Sequence, residues 1–476
     1  MTISVEPRLV MDHPCIERLS PVDGRSVSVE KAQDLRSSLE AATRAAAAFP
    51  KWSATSVAER ADFLRRAANL LEQRQDDLRA AMVDELGTPD GWCRENIRMA
   101  AAILRETTSF ADEVNRVEDI PDPRGITSRA ERSPCGVCLG IAPWNAPVVL
   151  GMRAVAAPLL CGNTVLLKGS EFAPRTYRLI DEILQASGLP KDVAQVILSR
   201  AEDSEEIVEA LVASPVVRRV NFTGSTRVGR RVAELCAKYL KRPLLELGGQ
   251  STMIVLDDAD IEAAAAAALK GAYLNQGQIC MSTERLIVSE KVADALVQRL
   301  EAGRAGLKHG DPNEPATNVG PVISVDAAER LSLLVGDALS KGAKLVGGGR
   351  VREAYFEPAL LDGVEPDMRL YCEEVFGPVL SVTRVANDLE AVTVANDSEY
   401  GLACAVFGTD LKRATSVARK VHSGICHINR CTVDDTPLAP FGGVKSSGYG
   451  RFGGRWAIHE FTELRWMTSV AADWKD

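Results

Sequence analysis

A thiol does chemistry when it is presented to a ligand, and Asn275 to Cys280, N-Q-G-Q-I-C, makes a polar, glycine-containing approach to one cysteine. The approach follows an Ala-rich stretch, 261–274, that reads as a helix. Taken alone, Cys280 also reads as a small buried hydrophobe, the commoner fate of a cysteine. Two other segments keep it company. Pro143-Trp144-Asn145 ends one apolar run, and Glu246-Leu247-Gly248-Gly249 ends another. Both sit at strand ends, where open α/β sheets place ligands. A fourth segment supplies a candidate anion site: Val217 to Phe222 reads as a strand, Thr223-Gly224-Ser225 as a turn, and Val228, Val232, Leu235 and Leu240 as the apolar face of the next helix. Ser225 stands at the N-cap, so free helix amides, a hydroxyl and a glycine would suit a pyrophosphate. A plain capped turn has the same appearance.

Other chemistries lose support. Gly448, Gly450 and Gly453 satisfy G-x-G-x-x-G, but Lys445-Ser446-Ser447 precede them where a dinucleotide motif needs an apolar strand. Gly224 to Gly229 with Arg230 approaches a P-loop without its Lys and Ser/Thr. Cys135 and Cys138 form C-x-x-C at the opening of a buried strand, where no helix N-terminus stabilises a thiolate. There is no G-x-S-x-G and no H-E-x-x-H, and the five histidines do not cluster at metal spacing, so no metal is expected.

Positioning these residues takes a large frame. The 476 residues suffice for two to four domains, and a formal charge of -9 gives no basic excess for nucleic acid or anionic membranes. Hydrophobic content of 46% and charged content of 25% are those of a globular chain. The N-terminus carries Glu6 and Asp12 and lacks an apolar signal core, and eleven scattered cysteines argue for reduced thiols; a cytoplasmic protein is expected. Pro147 to Leu167 is apolar enough to consider as a membrane span, but Arg153, Pro158, Gly162 and Asn163 favour a buried helix, turn and strand.

Residues 27–116 read as mostly helix. Short apolar runs at 137–142, 164–167, 195–198 and 217–222 then alternate with helices, which implies a parallel sheet. Runs at 253–256, 286–288, 379–382, 403–407 and 425–428 imply a second α/β unit. After Pro121 and Pro123, Ile126, Ser128 and Ala130 alternate with polar residues as in an exposed strand. That strand and the segment 461–470 are expected to pair with each other or across subunits, in a homo-oligomer.

Six motifs together resemble the aldehyde dehydrogenase superfamily over nearly the whole chain: P-W-N at 143–145, K-G-S-E at 168–171, F-T-G-S-T at 222–226, E-L-G-G at 246–249, G-Q-I-C ending at Cys280, and E-E-V-F-G-P at 373–378. Within it, I-C-M-S-T-E-R-L and the closing G-Y-G-R-F with E-F-T-E-L are similar to bacterial enzymes for salicylaldehyde, vanillin and benzaldehyde. The resemblance implies two doubly wound α/β domains: a Rossmann-like cofactor domain, 1–120 with 138–248, and a catalytic domain, 249–445. A β oligomerisation element, 121–137 with 460–476, completes a homodimer or homotetramer.

The same resemblance makes Cys280 the nucleophile, Asn145 with the Cys280 amide the oxyanion site, and Glu246 the base that activates water. NAD is the implied cofactor, with Gly224 and Ser225 at the pyrophosphate, Lys168 and Glu171 at the adenine ribose, Glu374 at the nicotinamide ribose, and Trp144 and Phe376 as apolar walls. Ala146, Leu150, Arg153, Met281 and Phe441, with Leu274, Ile279, Val433 and Asp435, would line a tunnel for an aromatic aldehyde, with Arg153 meeting a hydroxyl or methoxy group. Gly169 stands where many members carry proline, and Gln250 and Thr252 replace a frequent lysine and proline. Alternatives are an aliphatic or semialdehyde dehydrogenase, a CoA-acylating dehydrogenase, which needs no water-activating base, and a non-catalytic protein of the same fold.

Overall fold

The computed structural model describes residues 14–124 and 126–470. The N-terminal segment with Glu6 and Asp12, and the last six residues of the expected oligomerisation element, lie outside the described residues.

The first alternating region forms a six-stranded sheet. Its order is Gly448–Tyr449, Arg242–Glu246, Val217–Thr223, Val137–Ile141, Thr164–Lys168 and Ala194–Ile197. All pairs are parallel except the first. The strands Val137–Ile141 and Thr164–Lys168 are buried at every position, as a parallel sheet covered on both faces requires. Between them runs the helix Pro147–Leu160, wholly buried and started by a proline at its first turn. The apolar stretch 147–167 is thus a core helix, turn and strand. Among the described residues no helix is long and apolar enough to cross a membrane.

The second region forms a seven-stranded sheet in the order Lys344–Gly347, Ala359–Asp362, Val379–Val385, Thr283–Ser289, Ser251–Val255, Ala403–Phe407 and Ile425–Ile428. Only Lys344–Gly347 runs antiparallel. Every apolar run read as a strand lies in one of the two sheets.

Three features differ from the sequence reading or settle it. Residues 27–116 contain four long helices, Leu35–Ser53, Val57–Gln73, Gln75–Leu86 and Asp90–Thr108, but Ser26–Lys31 is a strand paired antiparallel with Cys15–Leu19. Its S-V-S-V alternation is a period-two signal that the longer Ala-rich helical pattern next to it overshadowed. The glycines 448, 450 and 453 belong to a return of the chain into the first sheet, with Gly448 opposite Glu246. Finally, Thr127–Pro134 pairs within the chain with Thr462–Ser469 and with Val117–Asp119, in a separate three-stranded sheet.

Candidate active site

The parallel strands deliver the expected residues to one region. Asn145 follows the strand Val137–Ile141, Glu246 ends Arg242–Glu246, and Cys280 precedes Thr283–Ser289. The turn before Cys280 is unusual: Asn275 and Gln276 have φ of 48° and 56°, in the left-handed region that non-glycine residues avoid. Amide side chains hold it there. Asn275 Nδ2 donates to the Asn145 carbonyl at 3.1 Å, Gln276 Nε2 to the Pro321 and Gly87 carbonyls at 2.8 and 3.1 Å, and Gln278 Oε1 accepts from the Ile323 amide at 2.9 Å. The N-Q-G-Q run therefore builds the strained approach that turns the thiol outward. Asn145 Nδ2 donates to the Gln278 carbonyl at 2.9 Å, and Trp92 Nε1 to the Asn145 carbonyl at 3.2 Å.

Cys280 and Asn145 open onto a cavity of about 370 Å³. Its wall includes all nine residues expected to form the tunnel, Ala146, Leu150, Arg153, Leu274, Ile279, Met281, Val433, Asp435 and Phe441. Pattern reading missed Trp92, Asn96 and Met99, because the helix Asp90–Thr108 was assigned to packing; their spacing marks one helical face. Arg153 is neither on the surface nor a lone cation. Its Nη2 pairs with Asp435, and its guanidinium lies 4.1 Å over the Phe441 ring.

Glu246 is 2% exposed and does not line that cavity; neither carboxylate oxygen has a hydrogen-bond partner among the described residues. Burial pushes it up to about 8, against the opposing charges of Arg153 and Arg451. The Cys280 thiol is pushed up to about 12, by burial and then by negative Glu246. The Gly248-Gly249 doublet after Glu246 is needed for close approach: a Cβ on Gly249 would stand 2.3 Å from the Cys280 carbonyl oxygen, and one on Gly248 2.4 Å from Glu374 Oε2.

Of the expected cofactor residues, Trp144, Lys168, Glu171, Gly224 and Ser225 end or follow strands of the first sheet, while Glu374 and Phe376 lie in the turn before Val379–Val385 of the second; none lines the aldehyde cavity. Ser225 caps the helix Thr226–Lys238, accepting from the Val228 amide, and is exposed with Gly224 beside it. Lys168 ends its strand buried, 3.7 Å from Glu171, and desolvation lowers its pKa. Trp144 meets Phe376 edge to face at 5.8 Å. Glu374 Oε1 accepts from the Gly249 amide at 3.0 Å. An open, capped helix N-terminus followed by exposed Val228, with a carboxylate and a buried ammonium nearby, fits a dinucleotide.

Both departures from the common motif have local causes. A Cβ on Gly169 would stand 2.4 Å from the Tyr177 ring, whose hydroxyl donates to the Pro143 carbonyl at 2.7 Å. Gln250 Nε2 donates to the Tyr371 and Glu373 carbonyls at 3.0 and 3.1 Å. Thr252 lies within a strand paired on both sides, where proline would remove a ladder donor.

The profile of the aldehyde dehydrogenase family matches residues 10–467. The chain belongs to the aldehyde dehydrogenase family. It is 50% identical over 468 residues to a vanillin dehydrogenase of Pseudomonas sp. (strain HR199 / DSM 7063), covering 98% of this chain and 97% of that one. The crystal structure of a salicylaldehyde dehydrogenase from Pseudomonas putida G7, complexed with salicylaldehyde, superposes with a TM-score of 0.96 at 43% identity, covering 97% and 96% of the two chains. PnpE in complex with nicotinamide adenine dinucleotide superposes with a TM-score of 0.93 at 35% identity, covering 97% and 95%. As an aldehyde dehydrogenase, the protein has the α/β fold expected from its alternating strands and helices.

Proposed function

We propose that this aldehyde dehydrogenase oxidises aromatic aldehydes to carboxylic acids with NAD, through a thioester on Cys280. The observation that carries this reading is the cavity ending on Cys280 and Asn145. Ala146 beside the oxyanion site leaves width for a planar ring, and Phe441, Met281 and Leu150 give it apolar contact. The activities named for the vanillin and salicylaldehyde relatives support the same substrate class. A ring hydroxyl or methoxy group would meet the Arg153–Asp435 pair, with Asp435 already taking one guanidinium nitrogen.

The Cys280 thiol gives up its proton to water, Sγ bonds to the carbonyl carbon as the C=O π bond opens, and the resulting oxyanion is held by Asn145 Nδ2 and the Cys280 amide. A nicotinamide held by Glu374 between Trp144 and Phe376 would supply the hydride acceptor for this carbon. Glu246 then takes a proton from water, the water oxygen bonds to the thioester carbon, and the C–S bond breaks to release the acid. Retention of Glu246 favours hydrolysis over transfer to CoA. Because Glu246 does not line the cavity, its carboxylate must move to reach the water at the thioester for this step.

Lys168 and Glu171 hold the adenine ribose, Gly224 and Ser225 the pyrophosphate, and Glu374 the nicotinamide ribose, with Trp144 and Phe376 as walls. NAD is preferred over NADP because Glu171 accepts from a 2′-hydroxyl and repels a 2′-phosphate. The first sheet with residues 1–120 and 138–248 is the cofactor domain, and 249–445 is the catalytic domain. The strands in 121–137 and 460–476 join subunits of a homodimer or homotetramer through exposed Leu464, Trp466 and Met467. The use of NAD and eleven scattered cysteines read as reduced thiols support a cytoplasmic enzyme.

The test is NADH formation with benzaldehyde, salicylaldehyde, vanillin, acetaldehyde and hexanal, with and without CoA. Higher kcat/KM for the aromatic aldehydes, lost in Ala146→Phe, is expected. Higher kcat/KM for hexanal or acetaldehyde overturns the aromatic reading, and strict dependence on CoA overturns hydrolysis.

A further inference from the structure

Glu284 stands in the I-C-M-S-T-E-R-L motif four residues after Cys280, within the strand Thr283–Ser289, which is buried at all seven positions. It is 2% exposed, lines no part of the aldehyde cavity, and forms no ion pair among the described residues; burial and the nearby Glu374 charge push it up to about 8, against its two amide hydrogen bonds and the more distant Arg330. A buried, unpaired carboxylate is costly and needs strong hydrogen bonds to persist. It has two: Oε2 accepts from the Val375 amide at 2.9 Å and Oε1 from the Phe376 amide at 2.8 Å. Two successive amides converging on one anion, with Phe376 at a φ of 49°, form a small backbone nest around it. Only a carboxylate offers two equivalent acceptors to such a pair.

The nest lies in the turn that carries Glu374 and Phe376, and other side chains grip the same turn. Gln250 Nε2 takes the Glu373 carbonyl at 3.1 Å, and Arg330 Nη1 takes the Val375 carbonyl at 2.7 Å. Arg330 Nη2 also donates to the Glu374 carbonyl. Glu284 is the one that fixes the two successive amides flanking the Val375 Cα. With them it sets the left-handed backbone that aims the Phe376 ring at Trp144 and leaves the Glu374 carboxylate beside Gly249.

We propose that Glu284 is a positioning residue for the nicotinamide half of the cofactor: seated on the Val375 and Phe376 amides, it holds the turn that presents Glu374 and Phe376. This rests on the cofactor reading of Glu374 and Phe376 given above. Glu284 touches no reacting atom, so its removal should act through cofactor placement and leave the adenine half untouched.

The test compares full-length Glu284→Gln and Glu374→Gln with the unaltered enzyme, measuring KM for NAD, the inhibition constant of ADP, and the primary deuterium isotope effect with 1-deuterated benzaldehyde. ADP carries the adenine ribose and pyrophosphate but no nicotinamide ribose. Glu284→Gln replaces one acceptor by a donor, so KM for NAD should rise about tenfold, the size of one charged hydrogen bond. The isotope effect should grow as hydride transfer slows, while the ADP constant stays within about twofold, well below that change. Equal weakening of NAD and ADP would mean general damage and overturn the proposal. So would unchanged NAD binding in Glu284→Gln alongside weakened NAD binding in Glu374→Gln, a result that leaves the cofactor reading standing. Unchanged NAD binding in Glu374→Gln would overturn that reading and the proposal with it. If Glu284→Gln does not fold, Glu284→Asp withdraws the same charge by one methylene and is read by the same ratio of NAD to ADP.

Discussion

A thiol pushed up to about 12 is a weak nucleophile at neutral pH unless its surroundings change, and at Cys280 the second cause of the shift is removable. Burial comes first, but the negative charge of Glu246 also opposes the thiolate. Glu246, pushed up to about 8 by burial, loses its own charge as pH falls below that value. The two groups therefore compete for one negative charge. Replacing Glu246 by Gln should let the Cys280 thiolate form at lower pH. Alkylation by iodoacetamide, followed on the Cys280 peptide by mass spectrometry across pH, should shift its midpoint downward. An unchanged or raised midpoint would show that Glu246 does not act on the thiol. Cys280, Asn145 and Glu246 could be singled out as candidates in the sequence because each sits in a short polar or glycine-containing segment beside an apolar run, and the structure brings Cys280 and Asn145 to one cavity with Glu246 outside its lining. The pairing of Arg153 was not, because its partner Asp435 lies 282 residues away and nothing local to either residue announces the other.

At the scale of elements, the strand Thr164–Lys168 and the helix Pro174–Ala186 meet at Gly169, where Tyr177 fills the space that a side chain would need. The Gly169 amide also donates to the Ile197 carbonyl at 3.0 Å. Proline, frequent in the family at this position, would bring a ring into Tyr177 and remove that donor. Gly169→Pro should cost at least the roughly 1–3 kcal/mol of core overpacking, seen as a lower melting temperature. A melting temperature equal to that of the unaltered protein would show that Tyr177 can move aside. The alternating α/β units were readable for the same reason that this contact was not. Buried parallel strands give continuous apolar runs, whereas the fit of one glycine to one ring depends on how a helix docks. The hairpin Cys15–Leu19 with Ser26–Lys31 escaped because its short period-two signal adjoins a much longer helical one.

At the scale of the whole molecule, the three-stranded sheet is tied to the first sheet at its base and bare toward its end. Asn163 Nδ2 donates to the Phe461 carbonyl at 2.8 Å, and Arg219 pairs with Glu463 at 2.9 Å, while Leu464 and Trp466 are 62% and 67% exposed. Placing Asp at both 464 and 466 should therefore leave the subunit folded and shift its mass by light scattering toward the monomer. An unchanged oligomer would move the interface elsewhere. Across the molecule, the ends of the first sheet, the loop before the second and the turn at Glu374 converge on Cys280, and a covalent acyl intermediate there is the central claim. Its most direct test is rapid mixing of Glu246→Gln enzyme with NAD and benzaldehyde, followed by acid quench and peptide mass spectrometry. The account predicts a first-turnover burst of NADH and a benzoyl adduct on the peptide containing Cys280, because hydride transfer proceeds while hydrolysis is slowed. NADH formed steadily with no burst and no adduct on that peptide would contradict it.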